Sequence, residues 1–175
     1  MKTLIVVDMQ NDFITGPLGT KESIEILPKV NKKIDEYYQQ RGIIVYTRDT
    51  HYDGYLDSIE GKHLPVLHCL YQTNGWNLAE GLHLHENSYL HDKDQFGSLN
   101  LMDQVRHKAY LESVELVGVC TDICVISNAL ILKAKFPWLE IYVDASCCAG
   151  TTPEMHKAAL QVMKSCQINV INEEM

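Results

Sequence analysis

Apolar and β-branched residues recur along this chain in short unbroken runs: Thr3 to Val7, Ile43 to Thr47, Val114 to Val119, Ile141 to Val143 and, more weakly, Ile168 to Ile171. Runs without polar alternation predict strands buried on both faces, as in a parallel sheet covered by helices. Between them, Leu27, Val30, Ile34, Tyr37 and Tyr38 repeat at helical spacing and stop before Gly42. Ile123, Ile126, Ala129, Leu130 and Ala134 do the same before Pro137. Thr151-Thr152-Pro153 offers a capping threonine and a first-turn proline, which predicts a helix running to Cys166. Strand and helix therefore alternate, the signature of an α/β fold with parallel βαβ units wound on both faces of one Rossmann-like sheet, three layers deep.

Two stretches depart from the alternation. Asp49 to about Asn87 is long, weakly periodic and rich in His, Gly, Asp and Tyr, which predicts a functional excursion. SYLHD, Ser88 to Asp92, is a further strand by position alone. The length of 175 residues and the lack of repeats or linkers predict a single domain over 1–175.

Charge narrows the partners. A formal net charge of −8 disfavours nucleic acid and anionic membrane surfaces and leaves a small uncharged or cationic ligand. The apolar run Leu4 to Val7 is cut by Asp8, too short for a signal-peptide core, so the expected location is the cytoplasm. The six cysteines lack paired CxxC spacing, which predicts that most are buried thiols rather than disulfides or structural zinc ligands. TGPLGT lacks G-x-G-x-x-G spacing and gives no support for a dinucleotide. Cys147-Cys148 suggests either redox chemistry or, more simply, a small-residue turn at the site edge.

Ligands of open parallel sheets bind outside the carboxyl ends of the strands. Asp8 ends the first run, Asp49 and His51 the second; Lys93 follows the third and Cys124 lies just past the fourth. With Thr121 as N-cap, Cys124 falls in a helical first turn, where the macrodipole favours a thiolate; the alternative is an inert core cysteine. Asp8 could take the thiol proton, and Lys93 could pair with both, its alternative being a solvated surface lysine. Asp49-x-His51 with Glu60 and His68, and His63 in reserve, offers imidazoles and carboxylates suited to Zn²⁺, Fe²⁺ or Mn²⁺; an ordinary polar loop is the alternative.

Five segments in order, VVDMQNDF, TRDTH, LPVLHC with TNGWNL after it, KDQFGS and GVCTDICV, together resemble the isochorismatase-like cysteine hydrolases, most closely the nicotinamidase and pyrazinamidase branch. The resemblance implies a six-stranded parallel sheet, a small-amide hydrolase working through a thioester, and a homo-oligomer. It further implies Asp8 as general base, Lys93 as electrostatic partner and Cys124 as nucleophile. A cis peptide between Val119 and Cys120, an oxyanion hole from the N–H groups of Cys120 and Cys124, and a divalent metal, zinc foremost, on Asp49, His51, Glu60 and His68 are implied as well. Phe13 and Phe96 are expected to wall the substrate pocket. Many nicotinamidases carry a tryptophan shortly before the last metal histidine; LPVLH has none, which leaves carbamoyl compounds and other amides open. Rival expectations are a binding or redox-sensing domain using Cys124, and a hydrolase in which the metal activates water.

Overall fold

The computed structural model of the protein describes residues 2–86, 88–106 and 111–173. Asn87, the end of the expected excursion, and residues 1, 174 and 175 lie outside them. Strands β1 (Lys2–Val7), β2 (Ile43–Asp49), β3 (Tyr89–Lys93), β4 (Ser113–Val119), β5 (Glu140–Ala149) and β6 (Asn169–Ile171) form one sheet in the order β3-β2-β1-β4-β5-β6. Every neighbouring pair is parallel. The helices are α1 (Asn11–Ile14), α2 (Lys21–Gln39), α3 (Ile59–His63), α4 (Asp103–Arg106), α5 (Ile126–Lys135) and α6 (Pro153–Ser165).

The unbroken apolar runs are explained by burial on both sides. In β1, Leu4 and Val6 pack in one core with Ile26, Val30 and Ile34 of α2. Ile5 and Val7 pack in the other with Leu132 of α5 and Leu160 and Met163 of α6. All four β1 side chains are fully buried, each worth roughly 2 kcal/mol, and β1 accordingly takes a central place in the sheet.

Several local expectations need correction. The helix read from Leu27 starts earlier because Thr20 and Ser23 form a reciprocal capping box, with Ser23 N donating to Thr20 Oγ1 at 3.0 Å and Thr20 N to Ser23 Oγ at 2.9 Å. Pro28 is carried inside it at the loss of one helical bond. Cys147 and Cys148 do not form a turn: β5 continues through them, and strand alternation sends Cys147 into one core and Cys148 into the other. Thr152 does cap α6, accepting from Met155 N, with Pro153 at its first position. The excursion contains a 3-10 turn at Tyr55–Asp57 and α3, which is more order than its weak periodicity predicts.

Two features hold the sheet in shape. Gly118 sits at φ +117°, and a Cβ there would lie 2.1 Å from the Val7 carbonyl oxygen, so β4 approaches the end of β1 as only glycine allows. Under α2, Lys33 Nζ lies 2.8 Å from both Glu115 on β4 and Asp144 on β5, and Tyr37 donates to Glu115 at 2.7 Å. Burial raises the Asp144 pKa, but bonds from Lys33, Ser146 and Asn172 outweigh it and hold this carboxyl below its ordinary range.

Lys33→Met leaves two carboxylates uncompensated under the helix and should cost roughly 3 kcal/mol, read as a lower urea midpoint at unchanged slope. Because the folded Asp144 pKa is depressed, its stabilisation is present above the unfolded value of about 4 and disappears as pH falls through the folded one. The gap between wild type and variant should therefore narrow in acid.

Candidate active site and metal centre

The strand order changes direction between β1 and β4, which opens a crevice at their carboxyl ends. Asp8 follows β1, in a left-handed backbone conformation at φ 47°. Asp49 ends β2 and Lys93 ends β3, paired in register with each other. Cys124 lies in the π-helical turn Thr121–Val125 that follows β4, after a Val119–Cys120 peptide that is cis.

These four side chains meet. Lys93 Nζ lies 2.7 Å from Asp8 Oδ2, 3.4 Å from Asp49 Oδ1 and 3.6 Å from Cys124 Sγ. Asp8 is fully buried, and Lys93 is nearly so rather than solvated. Thr47 fixes Asp8 twice, accepting its N–H at 3.1 Å and donating to Oδ1 at 2.6 Å. Burial pushes the Asp8 pKa up, with Lys93 opposing. Burial would lower Lys93, but Asp8, Cys124 and Asp49 outweigh it and keep the ammonium charged.

Cys124 departs from the expectation of a thiolate at a helix start. The Thr121 hydroxyl caps nothing and is instead hydrogen-bonded to His156 Nδ1 at 2.8 Å. Burial, followed by the Asp8 charge, pushes the Cys124 thiol well above its ordinary value, and Lys93 offsets this only in part. Its surroundings thus favour the neutral thiol, with Asp8 and Lys93 beside it. A base must remove its proton before it can react.

Asp49 is shared with the neighbouring cluster. Ligand atoms of Asp49, His51, Glu60 and His68 all lie within 4.8 Å of one another. His51 Nε2 is 3.0 Å from Asp49 Oδ2 and 3.6 Å from Glu60 Oε1; His68 Nε2 is 3.7 Å and 3.9 Å from the same two oxygens. His68 Nδ1 is bonded to the Val66 carbonyl at 2.8 Å, which makes it the N–H and turns the Nε2 lone pair inward. Burial and then Asp49 raise the Glu60 pKa, the strain of two carboxylates facing each other. Two imidazoles and two carboxylates on one buried point fit a divalent transition ion. His63 is exposed at the cavity rim and does not join the cluster.

A cavity of about 750 Å³ joins these groups, reaching Asp49, Glu60, His68, Cys120 and Cys124. Phe13 lines it, with its ring edge-on to His68 at 5.6 Å between centroids, and half-exposed Phe96 lines it from the loop after β3.

Sequence reasoning missed the groups that align the backbone. Gln10 accepts from Asp49 N at 2.7 Å and donates to the carbonyls of Asp49 and Trp76 at 2.9 and 2.8 Å. Asp12 accepts the Cys69 N–H at 2.7 Å and so secures the segment carrying His68. Asn128 donates to the Cys124 carbonyl at 2.8 Å and accepts from Ser98 N at 2.9 Å. Only Gln10 and Asp12 carried a signal, as polar residues crowded beside a strand end.

The isochorismatase domain family matches residues 2–175. The nicotinamidase of Schizosaccharomyces pombe is 25% identical, with 98% of this chain and 93% of that protein covered. A probable inactive nicotinamidase of Arabidopsis thaliana is 30% identical, with 93% and 87% covered. Among solved structures, the pyrazinamidase of Pyrococcus horikoshii in complex with zinc superposes with a TM-score of 0.86 at 30% identity, covering 98% of this chain and 99% of that one.

The four-residue cluster should bind one divalent ion per chain in calorimetry, and His68→Ala should weaken binding by more than about 100-fold. Unchanged affinity in that variant would refute the ligand set. In chelator-treated protein, alkylation of Cys124 by iodoacetamide, followed on its own peptide by mass spectrometry, should stay slow at neutral pH and accelerate only in the alkaline range.

Proposed function

The chain belongs to the isochorismatase family, and from that premise we propose that it is a cysteine-dependent amidohydrolase converting a small, nicotinamide-like amide to its acid and ammonia through a thioester. Hydrolysis of an amide C–N bond is the coarse activity that its family and its nicotinamidase relatives support. The nucleophile, the intermediate and the substrate are the proposal. The observation that carries it is the buried Lys93 ammonium held between the Asp8 carboxylate and the Cys124 sulfur.

In this reading Asp8 takes the Cys124 proton as the sulfur attacks the amide carbonyl, and Lys93 keeps the exchange of charge between the two electrostatically cheap. The N–H groups of Cys120 and Cys124 receive the oxyanion. The C–N bond then breaks, the amine leaves with the proton from Asp8, and the acyl group stays on sulfur. Asp8 next deprotonates a water that cleaves the thioester, which returns the thiol and releases the acid. A raised thiol pKa suits this order, because the proton is moved only once an electrophile is in place.

Asp49, His51, Glu60 and His68 would hold the metal, which supplies a Lewis-acidic anchor for a lone pair of the substrate when bound. Zinc is the proposed ion, supported by the two imidazoles and by the zinc complex of the Pyrococcus relative. Phe13 and Phe96 flank the acyl group. A non-catalytic role has one relative in its favour, the probable inactive Arabidopsis protein. Against it, a binding module has no use for a buried acid, lysine and thiol in mutual contact.

Cys124→Ala should lower ammonia release by at least about 10⁴-fold while circular dichroism stays unchanged. Asp8→Asn should cost at least about 10³-fold. Asp12→Asn, which keeps an acceptor for Cys69, should cost under about tenfold. Full activity of Cys124→Ala would exclude the thioester route.

A further inference from the structure

The cavity is larger and more apolar than a single-ring amide requires. Its volume of about 750 Å³ lies in the upper half of the range that holds drug-sized ligands, roughly 300–1,000 Å³, and its wall is overwhelmingly carbon. Part of the polar lining already has a proposed role. Cys120 and Cys124 face the reacting carbonyl, and Asp49, Glu60 and His68 occupy the side toward β2.

Beside Thr20, His63, Asp94, Gln95 and Thr151, the rest of the lining includes an aliphatic stretch of Leu18, Ile59, Leu64 and Ile123. Ile59 opens α3 next to Glu60 and is 80% exposed, while the Phe96 ring is 45% exposed. Large apolar side chains left in water around a cavity containing a nucleophile mark a surface that a ligand covers. Phe13 and Phe96 are its phenyl rings among the described residues, and the aliphatic stretch between them suits loosely packed carbon as well as a stacked ring.

We propose that the acyl part of the substrate carries an apolar arm, reaching from the carbonyl at Cys124 across Ile123 and Leu64 to Leu18 and Ile59. The inference rests on the amidohydrolase reading and adds the substrate class: a primary amide whose acid portion bears an alkyl or aryl extension. Each methylene of the arm that leaves water should raise kcat/KM about fourfold. The gain should come through KM, because the arm touches the same wall in the ground state and the transition state.

The test is ammonia release from the metal-loaded protein in two matched series: acetamide, butanamide and hexanamide, and nicotinamide against its 5-phenyl derivative. The longer member should be favoured at least tenfold in each, and Ile59→Ser and Leu64→Ser should shrink that ratio toward one. A ratio at or below one in both series overturns the inference. Calorimetry with the matching carboxylic acids gives a reading independent of turnover. Tighter binding of the longer acids supports the arm, and equal binding refutes it. If no amide in either series releases ammonia, it is the hydrolytic reading that fails, while the acids still decide the arm.

Discussion

A lysine ammonium held away from water is the constraint on which the site is organised. Burying Lys93 alone would cost several kcal/mol, and the fold offsets this by surrounding it with Asp8, Asp49 and Cys124. The partners arrive from the ends of β1 and β2 and from the turn after β4, while Lys93 itself ends β3. The cluster therefore requires this strand order. Shifting one strand by a single residue would turn its contributor to the opposite face and strand a charge in the interior.

The same lysine divides the chemistry between two neighbouring centres. Through Asp8 it faces the thiol, and through Asp49 it faces the metal-type quartet. Three neighbours act on Asp49 at once: burial pushes its pKa up, but hydrogen bonds from His51 and His68 and the Lys93 charge outweigh it and hold the carboxyl below its ordinary range. Asp49 can thus remain an anionic ligand beside an acid, Asp8, whose own pKa is raised. Two carboxylates that share one lysine are thus pushed in opposite directions by their surroundings alone.

Around both centres runs a layer of amides, hydroxyls and one acid that bind mostly backbone, with Thr47 also donating to the Asp8 carboxylate. Thr47 and Gln10 tie β1 to β2, Asp12 secures the segment with His68, and Asn128 links the Cys124 turn to Ser98 in the loop after β3. Trp76 adds a further clamp, donating to Thr50 at 2.9 Å and lying 3.7 Å beneath the Arg48 guanidinium. The long excursion after β2 is thereby fastened to the sheet, which allows a loop without strong periodicity to carry three metal-type ligands, His51, Glu60 and His68.

The strands, the three long helices and the residues at the strand ends were legible in the sequence because they follow from local periodicity and from the rule that loops converge at one sheet edge. Asp8, Asp49, His51, Lys93 and Cys124 could be named on that basis, and the brought-together cluster agrees with it. The state of the Cys124 thiol was not legible: the local turn favours an anion, while complete burial and the charge of Asp8, set by distant segments, favour the neutral form. Nor could the sequence show that Cys147 and Cys148 lie on opposite faces of a strand, since small residues suit a turn as well as a crowded central sheet. The partners of Gln10, Asp12 and Asn128 stayed hidden for a related reason, although Gln10 and Asp12 stood out as polar residues beside a strand end. Each has a partner 30 or more residues away in chain order, and a hydrogen bond to distant backbone leaves no pattern that identifies its partner. The sequence by itself determined which side chains reach the edge of the sheet; only tertiary burial decided which carry charge, which stay neutral and how much apolar space lies beside them.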